Sequence, residues 1–90
     1  MKSFYEGFEQ DDAELIETLS RASYELRENR KMLLDQYGAT EERKILEKIT
    51  AGEVPEHPAY EHYLSVSILT EMQEAVRREL ANILQEAKTV

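Results

Sequence analysis

Gly52-Glu53-Val54-Pro55-Glu56-His57-Pro58, preceded by Tyr37-Gly38-Ala39-Thr40, sets the architecture of this chain. Outside these two interruptions the residues read as helix from about Asp11 to the C-terminus. Gly38 and Gly52 can each take the left-handed conformation that closes a helix. Pro55 and Pro58 bracket an extended link, and Pro58 suits the first turn of a helix, where a missing N–H costs nothing. The pattern predicts an aromatic-acidic lead over residues 1–10 and one helical domain over 11–90. Its helices are expected at about 11–37, 40–51 and 58–88. The fold class is therefore all-α: a long helical hairpin with a short helix between its arms.

Working outward, Asp11 is placed to cap the first helix, with Glu14 three residues on in a capping-box arrangement. Leu15, Leu19, Ala22, Leu26, Leu33 and Tyr37 recur at helical spacing and make one stripe. Asn29 falls where that seam expects an apolar residue, either fixing register or marking a wet edge. Thr40 is the expected N-cap of the middle helix, with Glu41 and Glu42 favourable against its dipole and Lys48 near its end. Ile45, Leu46 and Ile49 supply its apolar face. At this length such a helix is marginal alone and must pack on the long arms.

The last helix carries Leu64, Val66, Ile68, Leu69, Met72, Ala75, Val76, Leu80, Ile83, Leu84 and Ala87. On a helical wheel these cover roughly 200°, against roughly 120° for the first helix. One antiparallel neighbour cannot cover so wide an arc. The mismatch predicts a homodimer, with two hairpins joining in a four-helix, coiled-coil-like bundle, or a hetero-complex through the same face. The candidate interface is Val66, Leu69, Met72, Val76, Leu80, Ile83 and Leu84.

Bulk composition narrows the function classes. Ninety residues, 41% of them hydrophobic and 33% charged, describe one folded domain. The absence of cysteine excludes disulfides and thiolate sites. No apolar run is long enough for a bilayer and the N-terminus lacks a secretory core, so the expected setting is the cytoplasm. The net charge is −8. Residues 1–17 hold one Lys against six acids, residues 18–48 seven bases against six acids, and residues 49–90 three bases against seven acids. A negative field disfavours nucleic acid and membrane surfaces and favours a basic partner. Arg27, Arg30, Lys31, Arg43, Lys44 and Lys48 are the exception, a basic set read chiefly as solvated helix faces.

No motif with catalytic geometry is present. His57 and His62 lie five residues apart, and Val54 and Ala59 occupy the positions where the Glu-x-x-His pattern of helical di-iron sites needs Glu. Neither a His-centred triad nor a Gly-rich phosphate loop is evident. Glu41-Glu42 is followed by Ile45 and Leu46, not by the further carboxylate of magnesium-binding helical pyrophosphatases. The expectation is a non-enzyme without metal or cofactor. Aromatic residues are the remaining candidates: Phe4, Tyr5 and Phe8 as a docking lead, and Tyr37, Tyr60 and Tyr63 as a hydrophobic plug or docking surface at the hinge.

The run Arg30-Lys31-x-Leu33-Leu34-x-x-Tyr37-Gly38, followed by Gly52-Glu53-Val54-Pro55-Glu56-His57-Pro58-Ala59-Tyr60-Glu61-x-Tyr63-Leu64, resembles a group of small uncharacterised bacterial and archaeal helical proteins. The resemblance spans about residues 26–84. It implies a long helix, a Tyr-Gly stop, a short helix, a Gly-Glu turn and a Leu-rich final helix. Genes of this type often sit beside predicted toxins, which implies an antitoxin-like role. The Ala39-Thr40 pair departs from the Ser-rich start expected for the middle helix. The leading expectation is a non-catalytic protein–protein interaction module, antitoxin-like and neutralising a basic partner. The rivals are a self-associating structural or adaptor dimer and a small nucleic-acid-associated regulator.

Overall fold

The computed structural model describes residues 10–88, with side chains described from 11 to 86. Three helices follow in order: α1 Gln10–Asp35, α2 Glu42–Thr50 and α3 Glu56–Lys88. No strand occurs among the described residues, and the molecule is a rod of 57 × 20 × 18 Å. The all-α hairpin with a short intervening helix is what the two interruptions predict. α1 and α3 run antiparallel. Arg30 meets Thr70 and Tyr37 meets His62, so paired positions sum to about 100 along the two arms.

Both stops are built on glycine. Gly38 has φ +60° and Gly52 φ +75°. After α1, Gly38 N–H donates to Asp35 C=O at 3.1 Å and Ala39 N–H donates to Leu34 C=O at 3.0 Å. This is a Schellman closure, and its usual apolar contact is supplied by Ala39 and Leu34, both buried in the same core. After α2, Gly52 N–H donates to Ile49 C=O at 3.0 Å and Glu53 N–H to Lys48 C=O at 2.9 Å. Here the flanking residues are charged, and a Lys48–Glu53 ion pair of 3.9 Å replaces the apolar contact.

Two local expectations need correction, those for Asp11 and Thr40, while the start of the last helix at Pro58 is as expected. Asp11 does not precede α1; it lies in the first turn beside Asp12, where the two carboxylates face the positive end of the helix dipole. Thr40 is not the cap of α2. The N-cap is Glu41, in extended conformation and without a side-chain cap hydrogen bond, because the Schellman turn consumes Ala39 and Thr40 in reversing the chain. α3 is interrupted at His57, whose φ of −105° and ψ of 128° are extended, as the residue before proline prefers. The regular helix starts at Pro58. Glu42 and Lys48 sit at the dipole-favourable ends of α2 as expected.

The core lies at the hinge end. Leu34, Ala39, Ile45, Ala59 and Val66 are buried together, with Leu33, Tyr37, Ile49, Val54 and Tyr63 packed around them. Ile45 and Val66 have no exposed surface at all. Ile45 thus pins the nine-residue α2, too short to persist unaided, against α3 at the hinge end. Towards the other end the burial thins. Ile16 and Ile83, level with each other by the interhelical register, are the remaining large buried apolar residues described. Asn29 is exposed, so the wet-edge reading of that position holds. Arg30 occupies the seam beside it.

Substitution should separate the plug from the turns. Ile45→Ala is expected to cost about 2–5 kcal/mol of unfolding free energy, since it opens a cavity where nothing can collapse. Gly38→Ala should cost about 1–2 kcal/mol, through left-handed strain alone, because no atom lies within 4 Å of an added Cβ. Urea unfolding followed by circular dichroism checks both. A Gly38→Ala protein as stable as the parent would contradict the assigned turn.

Candidate interaction surface

Each arm presents its residues according to the 3.6-residue period, so burial along α3 shows which part of its wide apolar arc is covered. Val66 and Ile83 face inward and are buried; Leu69, Val76 and Leu80 are half-buried in the seam with α1. Met72 and Leu84 remain exposed. Val66 and Ile83 therefore offer no surface to another chain. Assigning them to an interface is corrected: α1 and α2 cover that side of the arc. What stays open is a neighbouring row. Tyr60, Leu64, Ile68 and Met72 recur at four-residue steps, with exposures of 41%, 42%, 56% and 47%. Tyr24 and Met32 on α1 are also exposed, but they stand off that helix's apolar stripe.

At the hinge the aromatic residues divide into two contacts. Tyr60 and Tyr63 stack with centroids 6.1 Å apart and planes at 25°. Tyr63 reaches the core while Tyr60 heads the open row. Tyr37 packs edge-on to His62, centroids 5.6 Å apart, and its hydroxyl is hydrogen-bonded with His62 Nδ1. Burial and then the negative charge of Glu61 push the Tyr37 phenol above its ordinary value. The docking lead, Phe4, Tyr5 and Phe8, lies outside the described residues.

Sequence reasoning missed the polar clamp. The Arg30 guanidinium donates through Nε to Thr70 Oγ1 at 2.9 Å and reaches Glu42 at 3.3 Å, tying all three helices together from a half-buried position. Thr70 passes the bond on to the Val66 carbonyl at 2.9 Å. One signal was available: Arg30 lies beside Asn29 at a seam position where an apolar residue is expected.

The basic set is largely engaged inside the molecule. Arg27 lies over the Tyr24 ring at 5.4 Å, Arg30 is held as described, and Lys48 pairs with Glu53. Arg43 and Lys44 both contact Glu47, and those hydrogen bonds hold its carboxyl below the ordinary range. A shallow concavity between α1 and the turn collects Arg27, Arg30 and Lys31, but Asp35 lines it too. The lining is net positive, although Arg30 is already paired with Glu42 and Arg27 lies over the Tyr24 ring.

His57 and Glu61 form one exposed pair at 2.7 Å. Among the described residues, no group of three His, Asp or Glu side chains converges as metal ligands would. No described helix is long and apolar enough to cross a membrane.

An all-α hairpin with an exposed apolar row along α3 is thus the class of protein at hand. The sequence matches the family model described as "Uncharacterized protein MJ0235 family" over residues 11–88. The chain belongs to that family. No curated protein and no solved structure matches it.

The His57–Glu61 pair makes a pH prediction. The hydrogen bond that protonated His57 donates to Glu61, then the charge of Glu61, raises His57 above its ordinary 6.5. Glu61 is lowered from 4.5, first by a backbone hydrogen bond at its own position and then by His57. Protonated His57 therefore contributes stability below pH 6.5, lost as pH rises through the raised value. Glu61 contributes above pH 4.5, lost as pH falls through the lowered one. The pair is complete between those limits. Imidazole NMR titration should find His57 above 6.5 in the parent and returning towards 6.5 in Glu61→Gln. An unchanged midpoint would contradict the pair.

Proposed function

We propose that this protein is a non-catalytic helical interaction module that binds another polypeptide through the open face of α3. The supporting observation is the row Tyr60, Leu64, Ile68 and Met72, four large apolar side chains exposed in succession along one helix. Scattered exposed apolar residues are ordinary on any protein, but a continuous row along one helix marks an association surface. The chain's acidity favours a basic partner, and charge of opposite sign would speed the encounter. The resemblance to proteins encoded beside predicted toxins gives the role a specific form: an antitoxin-like protein that masks a basic toxin. A cytoplasmic setting fits that role.

Self-association is the second reading, favoured by the same row, since a second hairpin would cover it as well as a foreign chain would. Regulation through nucleic acid has less support, because most of the basic side chains are engaged within the molecule.

Two substitutions on neighbouring faces test the reading. Ile68→Asp should change the unfolding free energy by no more than about 0.5 kcal/mol, as exposed positions do, yet abolish co-purification with the product of the adjacent gene. Val66→Asp should unfold the protein, since it buries an unpaired charge in the plug. Partner retention by a folded Ile68→Asp protein would remove this face from the account.

A further inference from the structure

We infer that the open row of α3 is a seat for a basic amphipathic helix of another protein. The inference rests on the interaction reading above and specifies the partner's chemistry. Residues at four-residue steps form a ridge of the kind that packs between the side-chain rows of a second helix, with axes crossing at about 50°. From Tyr60 to Met72 the ridge rises about 18 Å, which matches a partner of about four turns. The surface is a convex ridge and not an enclosed cavity, so a helix suits it better than a small ligand.

Charge selects the occupant. On the helical wheel Glu61 and Glu79 flank the ridge on one side and Glu71 on the other, all three exposed. Arg78, beside Glu71 on the wheel, is the cation of α3 on these margins, and His57 already contacts Glu61. A second copy fits poorly. Placing Ile68 against Met72 of an antiparallel copy sets Glu61 opposite Glu79 on the same margin. A second copy also brings another net charge of −8. Like charges facing each other across an interface oppose association, whereas Lys or Arg flanking a partner's apolar row would neutralise these margins.

The test uses the full chain and two synthetic peptides of about 14 residues. Both carry one leucine row at three- and four-residue steps; one has Lys at the flanking positions and the other Glu. Calorimetric titration should show the Lys peptide binding at least about tenfold tighter than the Glu peptide. Its affinity should fall several-fold between about 0.05 M and about 0.5 M salt. Ile68→Asp should lower it at least about tenfold at an unchanged thermal midpoint, and Glu71→Lys should narrow the preference between the peptides. Equal binding of both peptides, or affinity indifferent to salt, overturns the basic seat while the interaction reading stands. So does a light-scattering mass of two chains that Ile68→Asp returns to one, which would assign the ridge to a second copy. A monomer that binds neither peptide overturns both.

Discussion

Enclosure of Ile45 and Val66 at the hinge end is the contact on which the rest of this molecule depends. α2 has nine residues and no side-chain cap, so its local ion pairs are too few to keep it helical alone. It persists because Ile45 is driven against α3 at the hinge end, and because both glycine turns return the chain to that core at the correct angle. With α2 seated, Arg30 can span Thr70 and Glu42 and set the longitudinal register of the arms. Away from this end, the arms share a half-buried seam that closes again at Ile16 and Ile83.

Packing on this plan divides the apolar arc of α3. α1 and α2 cover the side that includes Val66 and Ile83, and the remainder is left as the ridge from Tyr60 to Met72. A single small hairpin has too little interior to use both sides. The exposed ridge is therefore a consequence of the architecture as much as a local feature of α3. The same economy of interior accounts for the polar clamp: Arg30 fills a seam position with its long stem while its guanidinium stays within reach of partners and solvent.

Much of this was legible in the residues, and the exceptions have physical causes. Gly38 and Gly52 announced the two stops because few other residues accept their conformation, and the 3.6-residue period located all three helices. The wide arc of α3 was visible too. Which side of it would be covered was not, because a helical wheel has no information on where the neighbours dock. Val66 was consequently read as interface although it is the centre of the plug, and Ile68 was passed over although it is the most exposed of the ridge residues. Thr40 was read as a cap from its type alone, whereas the hydrogen-bonded reversal after Gly38 displaces the helix start beyond it. Tyr37 and Tyr63 both pack on the plug, as their nearness to the turns suggests, and the Tyr37 ring also meets His62 across the hinge. Interhelical polar contacts such as this one and that of Arg30 depend on register, which emerges only when the arms are paired.

Solvent accessibility of individual methyl groups in the isolated chain bears most directly on the account. With a soluble paramagnetic agent, methyl NMR should show strong relaxation at Ile68 and Met72 and almost none at Ile45 and Val66. Shielding of Ile68 to the level of Val66, or open access at Val66, would contradict a hairpin that encloses one apolar side of α3 and leaves the other bare.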